Sequence, residues 1–160
     1  AIGQGYTQTT PIQLALATAK LINLDYKISP KILRKTTVPK FMQISKINRD
    51  RQNEDLNIIK KGMALVTKEG GTAAFIGRTS TYDVSAKTGT AQVFGLKKDE
   101  VYDESKLPDR LKDHALFIAF APSENPKLVL AIVVENGGHG GSTAGPIAKK
   151  VFDSYLNGTH

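Results

Sequence analysis

The sequence predicts an α+β domain in which an antiparallel sheet is flanked by helices. Three observations carry that expectation: an apolar stretch at helical spacing near the start, three strand-like segments in the second half, and an amphipathic run that closes the chain. Two of the strand-like segments are separated by a turn too short for a crossover, so they pair as a hairpin.

The elements follow in order. Thr9-Thr10-Pro11 combines a hydroxyl cap with a proline whose missing amide costs nothing at the first helical position. Ile12, Leu14, Ala15, Leu16, Ala17, Ala19 and Leu21 then run almost all round the helix, which predicts burial between layers and an end near Asn23. Residues 25 to 52 carry Pro30, Pro39 and short β-branched pieces, a pattern that suits a surface excursion with one or two short strands. Asn53 is the expected cap of a second helix, with Glu54 and Asp55 in its first turn and an apolar stripe of Leu56, Ile59, Met63 and Val66. Gly70-Gly71 stops it.

From Val84 onward the hydrophobic period shortens, and residues 84–94, 114–121 and 127–135 read as strands. The charged stretch 95–113, with Pro108 and Tyr102, reads as a mobile excursion over the surface. Asn136-Gly-Gly-His-Gly-Gly-Ser142 reads as a flexible turn; without a Gly-Lys-Ser/Thr ending it is no phosphate loop. Ser142 or Thr143 is then the expected cap of a last helix over 144–156, packing Ile147, Ala148, Val151, Phe152 and Tyr155 on the sheet.

Composition narrows the function classes. The 160 residues contain no cysteine, which excludes disulfides, thiolate zinc sites and cysteine nucleophiles. With three histidines, none at helical spacing to another, no metal site is expected, and no cofactor is implied. Residues 27 to 68 hold 11 of the 22 basic residues and 3 of the 15 acidic ones, so the net charge of +7 is concentrated there. Only Phe41 interrupts that belt; nucleic-acid surfaces interleave aromatics, so a solvated face is the reading and no nucleic-acid partner is expected. The longest apolar runs, 115–121 and 128–134, fall short of the roughly 20 residues of a membrane helix, so this piece carries no membrane-spanning segment and reads as soluble. Ala1-Ile-Gly-Gln-Gly-Tyr6 opens without methionine, basic segment or apolar leader, and reads as part of a longer protein.

The chemistry concentrates in Ser85-Ala86-Lys87-Thr88-Gly89-Thr90-Ala91-Gln92-Val93. An acyl-transfer site needs a nucleophile, a base, an oxyanion cradle and a grip on the substrate carboxylate. On an edge strand the amide of Thr90 can donate to a developing oxyanion, an interaction that typically contributes about 3 to 4 kcal/mol in the transition state. The hydroxyls of Thr88 and Thr90 can hold a carboxylate, Lys87 adds positive potential and influences a neighbouring serine's proton, and Gly89 lets substrate backbone approach. Alternation places Lys87 and Thr88 on opposite faces, so all four can serve one ligand only at a twisted edge.

No nucleophile accompanies the tetrad. None of the eight serines has a lysine three places on; Thr37 has Lys40 there, but beside Pro39, without the helical turn that would join them. Ser123-Glu124-Asn125 matches a Ser-x-Asn pattern, yet it lies in Ala-Pro-Ser-Glu-Asn-Pro-Lys, whose residue types make a hairpin turn.

Lys-Thr-Gly is one of three motifs of penicillin-recognising serine enzymes, beside Ser-x-x-Lys and Ser-x-Asn. In their order and spacing, residues 1–14, Lys87-Thr-Gly-Thr-Ala-Gln-Val-Phe-Gly95, Asp113-His-Ala-Leu-Phe-Ile-Ala-Phe-Ala-Pro122 and Val133-Val-Glu-Asn-Gly-Gly138 closely resemble the C-terminal half of the transpeptidase domain of class B penicillin-binding proteins, most of all those of the penicillin-binding protein 2 type. The resemblance implies the C-terminal portion of a penicillin-binding, serine β-lactamase-like fold over residues 1–160. It also implies a parent anchored at the periplasmic face of the bacterial inner membrane that cross-links peptidoglycan stem peptides through an acyl-serine, is acylated by β-lactams and works beside cell-wall elongation proteins. It carries over to Lys87, Thr88, Gly89 and Thr90 alone; the nucleophilic serine and Ser-x-Asn fall before Ala1, so the 160 residues by themselves are expected to be inactive. Two alternatives stand beside it: a β-lactamase or β-lactam sensor domain, and a non-catalytic basic module binding an anionic polymer or a partner protein through residues 27 to 68.

Overall fold

The computed structural model describes residues 8–22, 30, 49–93 and 107–158. Helix α1 (Pro11–Ile22) starts on a reciprocal cap: the Thr10 amide donates to Gln13 Oε1 at 2.8 Å, and the Gln13 amide donates to Thr10 Oγ1 at 3.3 Å. Two amides that the helix leaves unpaired are thereby satisfied, and Pro11 stands where no amide is needed. At the other end Lys60 Nζ donates to the Ile22 carbonyl at 3.3 Å, placing a cation on the negative end of α1. Helix α1 lies against the sheet, but it is not buried between layers as its composition predicts. Thr18 is its one buried residue and Ile12 is 51% exposed, because no described element covers its outer side.

Helix α2 (Arg49–Leu65) begins four residues before Asn53, so that residue lies within the helix rather than capping it. The helix-interior penalty of one Asn, under about 0.7 kcal/mol, is too small to stop a helix that tertiary contacts extend. Of the expected stripe Met63 alone is buried; Leu56 and Val66 are half-buried and Ile59 is exposed. Gly70, at φ +79°, turns the chain, and α3 (Ala74–Thr79) follows, a short helix that no sequence signal announces.

Strands β1 (Ser85–Ala91), β2 (His114–Ala121) and β3 (Leu128–Val134) form an antiparallel sheet in that order. The register runs from Ser85↔Phe120 to Ala91↔His114, and from Ala115↔Val134 to Ala121↔Leu128. The expected hairpin is therefore present, closed by the Lys127 amide on the Ala121 carbonyl at 2.8 Å. Strand β2 has the expected bounds, 114–121, whereas β1 and β3 are shorter than the expected 84–94 and 127–135; Phe94 lies outside the described residues, as do Tyr102 and most of the charged stretches 25–48 and 95–106. Arg49 to Gln52, read as part of the first excursion, belong to α2. Residues Asp109–Leu111 form one 3-10 turn after Pro108.

One sheet face is lined by Ala86, Ala115, Phe117, Ala119 and Ala121, and against it pack Ala144, Ala148 and Phe152 of α4 (Gly140–Asn157) with Ala73, Ile76 and Val84. Small residues on both sides bring helix and sheet close, and the rings of Phe117 and Phe152 fill what remains. Burying one such ring stabilises the fold by about 1.5–3 kcal/mol. Ile147, Val151 and Tyr155, expected on the sheet, are exposed: the stripe that meets it is the Ala144, Ala148, Phe152 row one residue away.

Helix α4 also starts earlier than expected, at Gly140 with His139 as its cap residue, so the glycine stretch is half turn and half helix. Ser142 and Thr143 sit inside its first turn; Thr143 Oγ1 donates to the Gly137 carbonyl at 2.7 Å. The glycines are there for space. A Cβ at Gly140 would collide with the Leu116 carbonyl oxygen and lie 2.6 Å from the Gly89 carbonyl oxygen, while one at Gly141 would collide with the Thr72 carbonyl oxygen. The far end of α4 is tied by Asp153, which accepts from Tyr82 Oη and from Lys149 Nζ, both at 2.6 Å. The Lys149 ammonium first, and then the Tyr82 hydroxyl, hold the Asp153 carboxyl below its ordinary 3.8; burial first, and then Asp153, push the Tyr82 phenol well above its ordinary 10.0.

Gly140→Ala should destabilise the protein by about 1–3 kcal/mol in denaturant unfolding. Gly62→Ala on α2, where a Cβ meets nothing within 4 Å, should stabilise it by about 0.5–1 kcal/mol. The Asp153 carboxyl titrates lower in the folded state, so its contribution is present above the ordinary carboxyl value and is lost as pH falls through the folded one. The Tyr82 contribution has the opposite sign and is lost as pH rises beyond 10.0. Tyr82→Phe should therefore lower stability by about 1 kcal/mol at neutral pH. That deficit should shrink at both pH extremes in unfolding curves recorded across pH.

Candidate active site

Strand β1 is rooted in the core and emerges from it. Ser85 and Ala86 are buried, Lys87 is exposed, and Thr88, Gly89 and Thr90 are half-buried. The root is held on two sides: Thr67 Oγ1 donates to the Val84 carbonyl at 2.6 Å, and Ser85 Oγ donates to Ser123 Oγ at 2.9 Å. Ser123 thus anchors the base of the strand from the β2–β3 turn, across from Phe120 and away from Thr90, and Ser123-Glu124-Asn125 forms no site with the tetrad.

Among the described residues β1 is an edge strand, as its proposed chemistry requires. Pairing puts Lys87 opposite Ile118, Thr88 opposite Phe117, Gly89 opposite Leu116 and Thr90 opposite Ala115. Ala86, Thr88 and Thr90 therefore share the face on which α4 packs, while Lys87 and Gly89 belong to the other. Lys87 Nζ donates back to the Thr88 carbonyl at 2.5 Å, so its ammonium lies along its own strand.

Gly89 does less for an incoming ligand than its lack of a side chain suggests. A Cβ there would lie 3.2 Å from Leu116 Cβ, and its carbonyl meets the first turn of α4 at Gly140. The first residue of α4 thus abuts the Gly89 and Leu116 carbonyl oxygens, and no acidic residue occupies the first turn of that helix.

Two contributors were not singled out from the sequence. Thr72, in the turn before α3, places its hydroxyl 3.1 Å from Thr88 Oγ1, and Gly140-Gly141 make the close approach of α4 possible. A shared signal exists, for Gly70-Gly71-Thr72 and Gly140-Gly141-Ser142 are both double glycines followed by a hydroxyl residue.

Residues 1–153 match the family described as "Penicillin binding protein transpeptidase domain". Peptidoglycan D,D-transpeptidase MrdA of Acinetobacter baumannii is 41% identical over 97% of this chain and 23% of its own length; its counterpart from Salmonella typhimurium (strain SL1344) is 38% identical over 95% and 26%. The chain thus spans about a quarter of the length of the curated relatives it matches. Among solved structures, Pseudomonas aeruginosa PBP2 in complex with WCK 5153 superposes with a TM-score of 0.75 at 39% identity, covering 97% of this chain and 31% of that one. Helicobacter pylori PBP2 in complex with MreC gives 0.56 at 30% identity over 71% and 19%. With its antiparallel sheet, its Lys-Thr-Gly-Thr strand and a match that runs through nearly all its residues, the chain belongs to the penicillin-binding protein transpeptidase family.

Proposed function

We propose that residues 1–160 form the C-terminal half of the transpeptidase domain of a peptidoglycan D,D-transpeptidase of the penicillin-binding protein 2 type. The observation that carries this reading is the family match across residues 1–153 in a chain whose tetrad occupies the emerging half of an edge strand. The longer protein is anchored at the periplasmic face of the inner membrane. The described residues hold no helix long and apolar enough to cross a membrane, so an anchor belongs to another segment.

In this reading the substrates are stem peptides, and β-lactams take their place. A serine oxygen from outside these 160 residues attacks the scissile carbonyl carbon, and the carbonyl π electrons move onto oxygen. Thr90 donates its amide to that oxyanion. Collapse of the intermediate expels the leaving amine with a proton and leaves an acyl-serine, which an acceptor amine then attacks to complete the cross-link. Thr88 and Thr90 hold the substrate carboxylate, Lys87 supplies positive potential and assists proton movement at the serine, and Gly89, whose room is taken by Leu116 and α4, completes the strand between them. The Helicobacter pylori complex with MreC supports a cell-wall elongation protein as partner.

Labelling with a fluorescent penicillin tests this directly. The 160-residue polypeptide alone should take no label, while the full-length protein should carry one covalent adduct on a serine outside these residues. Lys87→Met in the full-length protein should slow acylation by about 100-fold or more. An adduct on the 160-residue chain, or an unlabelled full-length protein, overturns the proposal.

A further inference from the structure

We propose that Thr72 is a positioning residue that orients the Thr88 hydroxyl toward the carboxylate of a bound ligand; this rests on the reading of the tetrad given above. The backbone of Thr72 is clamped on both sides. Gly70 turns the chain at φ +79°, the buried Ala73 donates its amide to the Val66 carbonyl at 2.9 Å, and Gly141 of α4 fits against the Thr72 carbonyl only because it lacks a side chain. The side chain of Thr72 stays exposed, with its hydroxyl 3.1 Å from Thr88 Oγ1.

Thr88 is held from the same quarter. Its methyl group faces Gly141, where a Cβ would lie 3.5 Å from Thr88 Cγ2. With the methyl against α4 and the hydroxyl against Thr72, one rotamer of a β-branched side chain is selected. Each hydroxyl carries one proton and two lone pairs, so two hydroxyls bonded to each other share one proton and keep the other for an outside acceptor. When Thr72 donates, the spare proton is on Thr88, on the strand that receives the ligand. Removing the Thr72 hydroxyl leaves Thr88 free to rotate its proton away. A bond between exposed hydroxyls adds little to stability, so the effect belongs to binding rather than folding.

The experiment uses the full-length protein and two probes, benzylpenicillin and its methyl ester, which lacks the carboxylate. The measured quantity is the second-order acylation rate constant, with melting temperature alongside. Thr72→Val should slow acylation by benzylpenicillin about five- to tenfold, the size of one hydrogen bond, and change the ester rate by less than about twofold. Thr72→Ser should restore the benzylpenicillin rate, and neither variant should shift the melting temperature appreciably. Equal losses with both probes, or no loss with either, overturn the inference while leaving the tetrad's role intact. A wild-type protein that reacts with neither probe overturns the proposed function itself, and this inference with it.

Discussion

The contact of Gly140 with Gly89 is the constraint on which the rest of the structure turns. Helix α4 crosses the sheet at a separation that leaves no room for a Cβ at its first residue. Two glycines in a first helical turn cost about 1 kcal/mol each relative to alanine, a penalty that pattern reading takes as evidence against a helix. The compensation comes from the layer that the close approach creates: the alanine row of β2 and Ala86 beneath Ala144, Ala148 and Phe152. Larger residues at either glycine would lift the helix, open that layer and pull the turn around Thr72 off β1.

The same constraint divides β1 into a rigid root and a working tip. Ser85 and Ala86 are buried, Ser85 is tied to Ser123 and the preceding Val84 to Thr67, so the position of Lys87 to Thr90 is inherited from the core rather than from the tetrad's own contacts. In the proposed function the tip holds a carboxylate and an oxyanion at defined positions, and such inheritance leaves little ordering to be done when ligand arrives. It also explains why the exposed part of the strand tolerates a chain of weak, solvent-facing interactions such as the hydroxyl pair of Thr72 and Thr88.

What was legible in the sequence follows the same division. The cap at Thr10-Pro11, the hairpin across residues 122–127 and the tetrad strand could be read because each has a local signal: hydroxyl before proline, clustered turn residues, short-period hydrophobicity. The start of α4, the existence of α3 and the role of Thr72 were not legible, since each depends on which glycine abuts which carbonyl. The exposed row Ile147, Val151 and Tyr155 shows the same limit, because α4 has two apolar rows and only the packing decides which one meets the sheet. Asn53 misled for a related reason: cap residues also occur inside helices, and one side chain type cannot mark a boundary that neighbouring turns carry through.

The alternation of the tetrad sets a condition on anything that binds there. Thr88 and Thr90 share the α4 face, whereas Lys87 and Gly89 share the other, and β1 has no further described strand beyond it. A ligand lying flat on one face would reach the hydroxyls or the ammonium but not both. A ligand that uses both must run along the open edge, and an extended peptide does this naturally, since its backbone groups and alternating substituents match the spacing of the strand beside it. The Lys87 ammonium, resting on its own Thr88 carbonyl at 2.5 Å, is then close enough to the edge to serve a ligand held there without any movement of the backbone. Edge position, alternation and a backbone-anchored lysine together favour a peptide terminus over a compact anion, which would need all its donors on one face.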